Sequence, residues 1–273
     1  MVYTRFISRA GLLLVYLLLI SCGGGVVTER DSAPTKVPDV SKIPDAVPKP
    51  EPRSKYGNPA QYEVFGKKYY TLTSAEGYRE KGIASWYGTK FHGRRTSSGE
   101  VYDMYAMTAA HKTLPLPSYA EVTNLKNGRK VIVKVNDRGP FHDNRLIDLS
   151  YSAATKLGIV AKGTGLVEVR VITPGKLQKT ALAPEAEAAP VSPAGAAKMF
   201  LQIGAFSTQS RAEQVKNQLQ RDIADNITIE PFDAVQGTLY RVRVGPLASV
   251  SYGDSLASKL VGLGFRDSHI VIE

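Results

Sequence analysis

Val133-Lys-Val-Asn-Asp-Arg-Gly-Pro-Phe141, followed by Arg145-Leu-Ile-Asp-Leu-Ser150, carries the decisive pattern. Apolar residues alternate up to a loop of Asn, Gly and Pro, and a second apolar run begins soon after, so the stretch reads as two strands around a tight loop. Upstream, Gly82-Ile-Ala-Ser-Trp-Tyr-Gly88 leads into Phe91-His-Gly-Arg-Arg-Thr-Ser-Ser-Gly-Glu100 in the same manner. Each loop places one carboxylate, Asp137 or Glu100, beside a strand able to hold it rigidly. Sugar-cleaving chemistry needs carboxylates held in that way.

Working outward, strands are predicted at Ile83–Tyr87, Ala106–Ala109, Ala120–Leu125, Lys130–Val135, Leu146–Leu149 and Leu166–Ile172. Asn127-Gly128 between two of them signals a hairpin, since both residues tolerate positive φ. One helix is expected over Tyr151–Leu157, capped by Ser150 and ended by Gly158. Many short strands with little helix suggest a small closed barrel. The C-terminal block differs. A strand at Met199–Phe206, a helix opened by the capping box Ser210-Arg-Ala-Glu213, a hairpin around Gln236-Gly237, a second helix and a last strand at His269–Ile272 give the order β-α-β-β-α-β. That is the split βαβ, ferredoxin-like arrangement.

The N-terminus sets the compartment. Arg5 and Arg9 precede an apolar run from Gly11 to Ile20, and Leu19-Ile-Ser-Cys22 follows with the chain's sole cysteine. A basic region, a short apolar core and small residues read as a secretory leader too short to span a bilayer. A lone Cys in an exported chain has no disulfide partner, which leaves a lipid anchor or a free thiol. The expected organisation is a leader at 1–21, a disordered Pro-rich tether at 22–60, a barrel domain at 61–173, an Ala/Pro-rich linker at 174–197 and the α+β domain at 198–273. The tether, at roughly 3 Å per residue, could carry the barrel about 100 Å from Cys22. The formal charge of +10 becomes +8 once Arg5 and Arg9 leave with the leader. A basic exported protein is drawn to anionic envelope surfaces, and export argues against nucleic acid.

The central motifs, with Ala106-Met-Thr-Ala-Ala-His-Lys-Thr-Leu-Pro115, resemble the rare lipoprotein A family, a mainly β double-psi β-barrel. Phe200-Leu-Gln-Ile-Gly-Ala-Phe206 and Tyr240-Arg-Val-Arg-Val-Gly-Pro246 resemble a SPOR domain, and Leu19 to Cys22 resembles a bacterial lipobox. The resemblance implies a lytic transglycosylase that cuts the MurNAc–GlcNAc bond of peptidoglycan strands lacking stem peptides. It would be lipid-anchored at Cys22, in the outer membrane facing the periplasm, and enriched at the division septum. Glu100, Asp137 and His111 match the family's site positions. Asp137 is read as acid/base because it ends a strand, with Glu100 orienting and stabilising charge. Asp148, just before a helix, reads as structural support through backbone N–H groups.

Trp86 and Tyr87 are candidate glycan-stacking residues or barrel core. Gln202, Phe206, Tyr240 and Arg243 are candidate glycan contacts on the C-terminal sheet, with Gln202 and Phe206 in one row. Cys22, His92, His142 and His269 lack metal-ligand spacing, and no nucleotide loop is present, so neither metal nor cofactor is expected. The alternative reading is a non-catalytic glycan-binding, wall-organising lipoprotein.

Overall fold

The computed structural model describes residues 31–35, 39–174, 197–235 and 237–273. The leader, Cys22, the start of the tether, nearly all of the 174–197 linker and Gln236 lie outside the described residues.

A small hairpin comes first, β1 (Gln61–Val64) and β2 (Lys67–Tyr70), turning through Phe65 and Gly66 at φ 51° and 74°. Six strands then follow: β3 (Arg79–Tyr87), β4 (Thr108–His111), β5 (Ser118–Asn124), β6 (Lys130–Asp137), β7 (Ile147–Ser150) and β8 (Gly165–Ile172). They close in the order β3-β7-β4-β6-β5-β8, with β3/β7 and β4/β6 parallel. This is the expected mainly β, double-psi barrel. Alternate residues such as Ala84, Ala109, Val122, Val133, Leu149 and Val169 fill its interior. Helix α1 (Tyr151–Leu157) has the expected ends: Ser150 Oγ accepts from Ala153 N, and Gly158 takes φ 74°. The strand expected at Ala106–Ala109 instead starts at Thr108 and reaches His111, because Ala106 N is used by a turn onto Asp103 O.

The described part of the expected tether departs from a free chain. Ala46 N donates to Ile132 O at 3.0 Å, Ile132 N donates to Asp45 Oδ2 at 3.0 Å, and Ser54 N donates to Leu116 O at 2.9 Å. The cause is an open edge. β4 pairs with β6 only from Lys134 onward, so the first half of β6 offers unpaired backbone groups there, and residues 45–46 cover it. Ile43 and Ala46 also pack against the barrel core. Residues 39–60 are therefore a strap bound to the barrel, and the tether reading does not extend to them.

The C-terminal domain runs β9 (Met199–Phe206), α2 (Gln209–Leu219), β10 (Ile227–Ala234), β11 (Gly237–Val244), α3 (Val250–Gly262) and β12 (His269–Ile272). Its sheet order, β10-β11-β9-β12, is that of the expected split βαβ unit. Thr208, not Ser210, caps α2, its side chain accepting from Arg211 N. The domain docks on the barrel. Ile83, 1 % exposed on the outside of β3, joins its core together with Leu166. Burying an isoleucine is worth about 2 kcal/mol. Arg145 makes two hydrogen bonds to Asp254 of α3, and Ile270 N of the edge strand β12 donates to Asn144 Oδ1 at 3.1 Å.

His111 pins the end of β4. Its Nδ1 accepts from Thr113 N at 3.1 Å and Leu114 N at 3.0 Å, which leaves the proton on Nε2 to meet Tyr78 Oη at 3.0 Å. Burial, then the charges of Lys112 and Arg138, push this imidazole down to about 3. The unfolded chain takes up the proton first, near pH 6.5. This contribution to stability is therefore complete above about pH 6.5 and is lost as pH falls toward 3, at about 1.4 kcal/mol per pH unit. Denaturant unfolding at pH 7 and pH 5 is expected to show a steeper loss for the wild type than for His111→Gln. Equal pH slopes for the two proteins would contradict this role.

Candidate active site

The site begins with a break in alternation on β6. Val133 and Val135 point into the core, and strict alternation would send Asp137 the same way. The β4–β6 register shifts between Ala109 and Ala110: Ala109 opposes Val135, but Ala110 opposes Asp137. Asn136 is the extra residue of a β-bulge, a device that re-aims the side chain after it. Ala110 also opposes Asp148 on β7, and Asp148 opposes Ser85 on β3. Cross-strand partners share a face, so Asp137, Ala110, Asp148 and Ser85 form one row on the outside of the barrel. At about 4.8 Å between strands, the backbones of the two aspartates stand about 10 Å apart with a single methyl between them.

Asp137 is anchored on one oxygen. Its Oδ1 accepts from Ser97 N at 2.7 Å, Ser97 Oγ at 2.6 Å and Arg138 N at 2.7 Å. Its Oδ2 has no hydrogen-bond partner among the described residues. Ser97 belongs to the loop that carries Glu100, where Gly99 turns the chain at φ 95°. Glu100 is held on both oxygens, by Lys134 Nζ at 2.7 Å and Asn136 Nδ2 at 2.7 Å. Partial burial pushes its pKa up, but the Lys134 and Asn136 hydrogen bonds and the Lys134 charge outweigh this and hold it below the usual carboxylate range. Lys134 also reaches Glu51 of the strap at 3.1 Å. The two carboxylates thus differ in kind: Glu100 is a fixed anion, and Asp137 keeps an oxygen available.

Asp148 does not cap α1, a role that Ser150 takes. Ser85 Oγ donates to Asp148 Oδ1, and burial raises its pKa against the pull of that bond and of Arg145, Lys112 and His142. His111 is bonded to Thr113, Leu114 and Tyr78, and neither candidate carboxylate is among its partners. Its link to Asp137 runs through the backbone, since Arg138 Nη1 donates to His111 O at 3.0 Å. Tyr87 stacks on Tyr102 at 4.0 Å and is buried; its hydroxyl lies beside that of Thr108, and neither finds a well-formed hydrogen bond. Trp86 is half-buried against the barrel core and meets Tyr151 edge-on at 5.7 Å.

In the C-terminal sheet a second bulge, between Val242 and Arg243, changes the expected row. Gln202 opposes Arg243, while Phe206 opposes Tyr240, and the latter two pack against the domain core. Arg243 is 3 % exposed and ion-paired with Glu230 and Glu273. Sequence reasoning missed Ser97, Lys134, Asn136 and Glu51. Lys134 and Asn136, just ahead of Asp137, were the available signal. Among the described residues no group of His, Cys, Asp or Glu converges as metal ligands.

Residues 79–171 match a family described as lytic transglycolase, and residues 195–271 match the SPOR domain. The chain is 41% identical over 261 residues to the endolytic peptidoglycan transglycosylase RlpA of Vibrio cholerae, covering 94% of each chain. It is 43% identical over 267 residues to RlpA of Pseudomonas aeruginosa, covering 81% of this chain and 78% of the relative. The crystal structure of the RlpA SPOR domain from Pseudomonas aeruginosa aligns at 27% identity over 27% of this chain and 96% of that one, with a TM-score of 0.26. With such relatives matched at 41–43% identity along most of their length, the chain belongs to the RlpA family of endolytic peptidoglycan transglycosylases.

Proposed function

We propose that the barrel cleaves the MurNAc–GlcNAc bond of peptidoglycan without consuming water. The observation that carries this is the unequal pair, Glu100 fixed as an anion and Asp137 tied by one oxygen with the other open. Asp137 gives a proton from Oδ2 to the glycosidic oxygen as the C1–O bond breaks. Glu100 stabilises the positive charge that develops on the sugar. The ionised Asp137 then takes the proton of the sugar's own C6 hydroxyl, which closes onto C1. The product is a 1,6-anhydroMurNAc end, and Asp137 regains its proton. Ser97 and the bulge at Asn136 hold Asp137 in place through both steps.

Strands without stem peptides are the preferred substrate in this reading, as the family resemblance implies. The SPOR-like domain gathers such strands at the division septum. A lipid on Cys22 holds the chain at the outer membrane. A second assignment of the acid has its own observation: Asp148, in the same row, is the carboxyl that burial raises.

Asp137→Asn keeps the shape but cannot cycle a proton. It is expected to lower anhydro-muropeptide release about 10²–10⁴-fold with normal melting, and Glu100→Gln is expected to be similarly severe. Asp148→Asn is expected to cost more stability than turnover, and the reverse order would move the acid to Asp148. A Cys22→Ala protein is expected in the soluble periplasmic fraction; its persistence in high-salt-washed membranes would contradict the anchor.

A further inference from the structure

The loop joining β6 to β7 borders more than the carboxyl row. A Cβ built on Gly139 would lie 3.9 Å from both the Ala110 methyl and the Phe141 ring. Gly139, which has no side chain, thus lies between the Ala110 floor and the Phe141 ring. Tyr69 and Tyr62 fix that ring, with centroids at 5.7 and 6.2 Å. Phe141 also lines a cleft of about 770 Å³ whose opposite wall is the C-terminal domain, from α3 to the start of β12. His142, Arg266, Asp267 and His269 line it as well.

This cleft exists because the domains are docked. Arg145 on Asp254 and Asn144 on Ile270 N stand at its base, and Ile83 with Leu166 buries the adjoining contact. Its chemistry is mixed. Two of the acids on its walls are already satisfied, Asp254 by Arg145 and Asp143 by Lys67 at 3.1 Å. Arg266 is exposed and has no ion-pair partner among the described residues. One aromatic ring with an open cation, an acid and two imidazoles suits a hydroxyl-rich ring, whose apolar face needs a flat surface and whose rim needs donors and acceptors.

We propose that this inter-domain cleft is a glycan subsite, in which Phe141 and Arg266 hold sugar rings of the same strand that lies across Asp137. The proposal rests on the peptidoglycan reading above. It makes the C-terminal domain one wall of the substrate path, in addition to any strand capture on its sheet.

The test is binding of peptide-free GlcNAc–MurNAc oligomers of increasing length to the full chain, followed by fluorescence anisotropy. Ser258→Trp fills the cleft from the exposed side of α3, and Arg266→Ala removes its open cation. Each is expected to weaken binding of the longer oligomers about 10-fold, Ser258→Trp by taking their space and Arg266→Ala by losing a hydrogen bond to a charged group, and to leave the shortest unchanged. Asp254→Ala, which removes the Arg145 ion pair from the joint, is expected to behave like Ser258→Trp. Wild-type affinity in both cleft variants, or an equal loss at every length, overturns the subsite, as does a wild type that binds no oligomer. The assay reads binding alone. Length-dependent binding without anhydro products from the wild type would remove the cleavage reading and leave the subsite standing.

Discussion

A closed barrel of short strands must keep its inward positions apolar, yet the carboxylate of Asp137 has to leave from one of those strands. The bulge at Asn136 reconciles the two. It lets Val133 and Val135 seal the core and then turns Asp137 outward, opposite Ala110. Once Asp137 faces out, Ser97 can bind it, and the loop bearing Glu100 is fixed by the same contact. Asn136, the bulged residue, is itself a ligand of Glu100. Straightening the bulge, with Asn136 in the regular ladder, would return Asp137 to the core side, and losing the Asn136 side chain would leave Glu100 with Lys134 alone. Orientation of both carboxylates therefore hangs on one irregular residue.

Much of the frame was legible because it follows local rules. Ser150 and Gly158 mark the ends of α1, Asn127-Gly128 turns between β5 and β6, and apolar alternation placed most barrel strands. What escaped depends on contacts between distant residues. Alternation says nothing of a bulge, which is decided by the partner strand's register. The Pro-rich composition of residues 39–60 describes a chain that cannot fold alone, and it is silent about an open edge on β6 that such a chain can cover. Ser210 and Thr208 are both competent caps, and where the chain leaves β9 chose between them. Asp137 and Glu100 were identifiable through family motifs, whereas their holders Ser97, Lys134 and Asn136 came from geometry. His111 shows the opposite case, since the motif marks it as a site residue while its ring nitrogens are spent on the turn after β4 and on Tyr78.

The two domains meet through an outward isoleucine, a part-buried ion pair and an edge-strand hydrogen bond, all beside the loop between Asp137 and Asp148. Removing Asp254 leaves the buried Arg145 guanidinium without its compensating charge. Such a joint is stiffer than a linker alone would make it.

In the proposed reaction the sugar's own hydroxyl, under Glu100 and Asp137, displaces the leaving oxygen. Digestion of peptide-stripped sacculi by the purified chain in heavy-oxygen water, read by mass spectrometry, tests it most directly. Soluble fragments with anhydro ends are expected, each one water lighter than a hydrolysed fragment and free of the heavy isotope. Reducing MurNAc ends carrying heavy oxygen, or no soluble fragments at all, would contradict it.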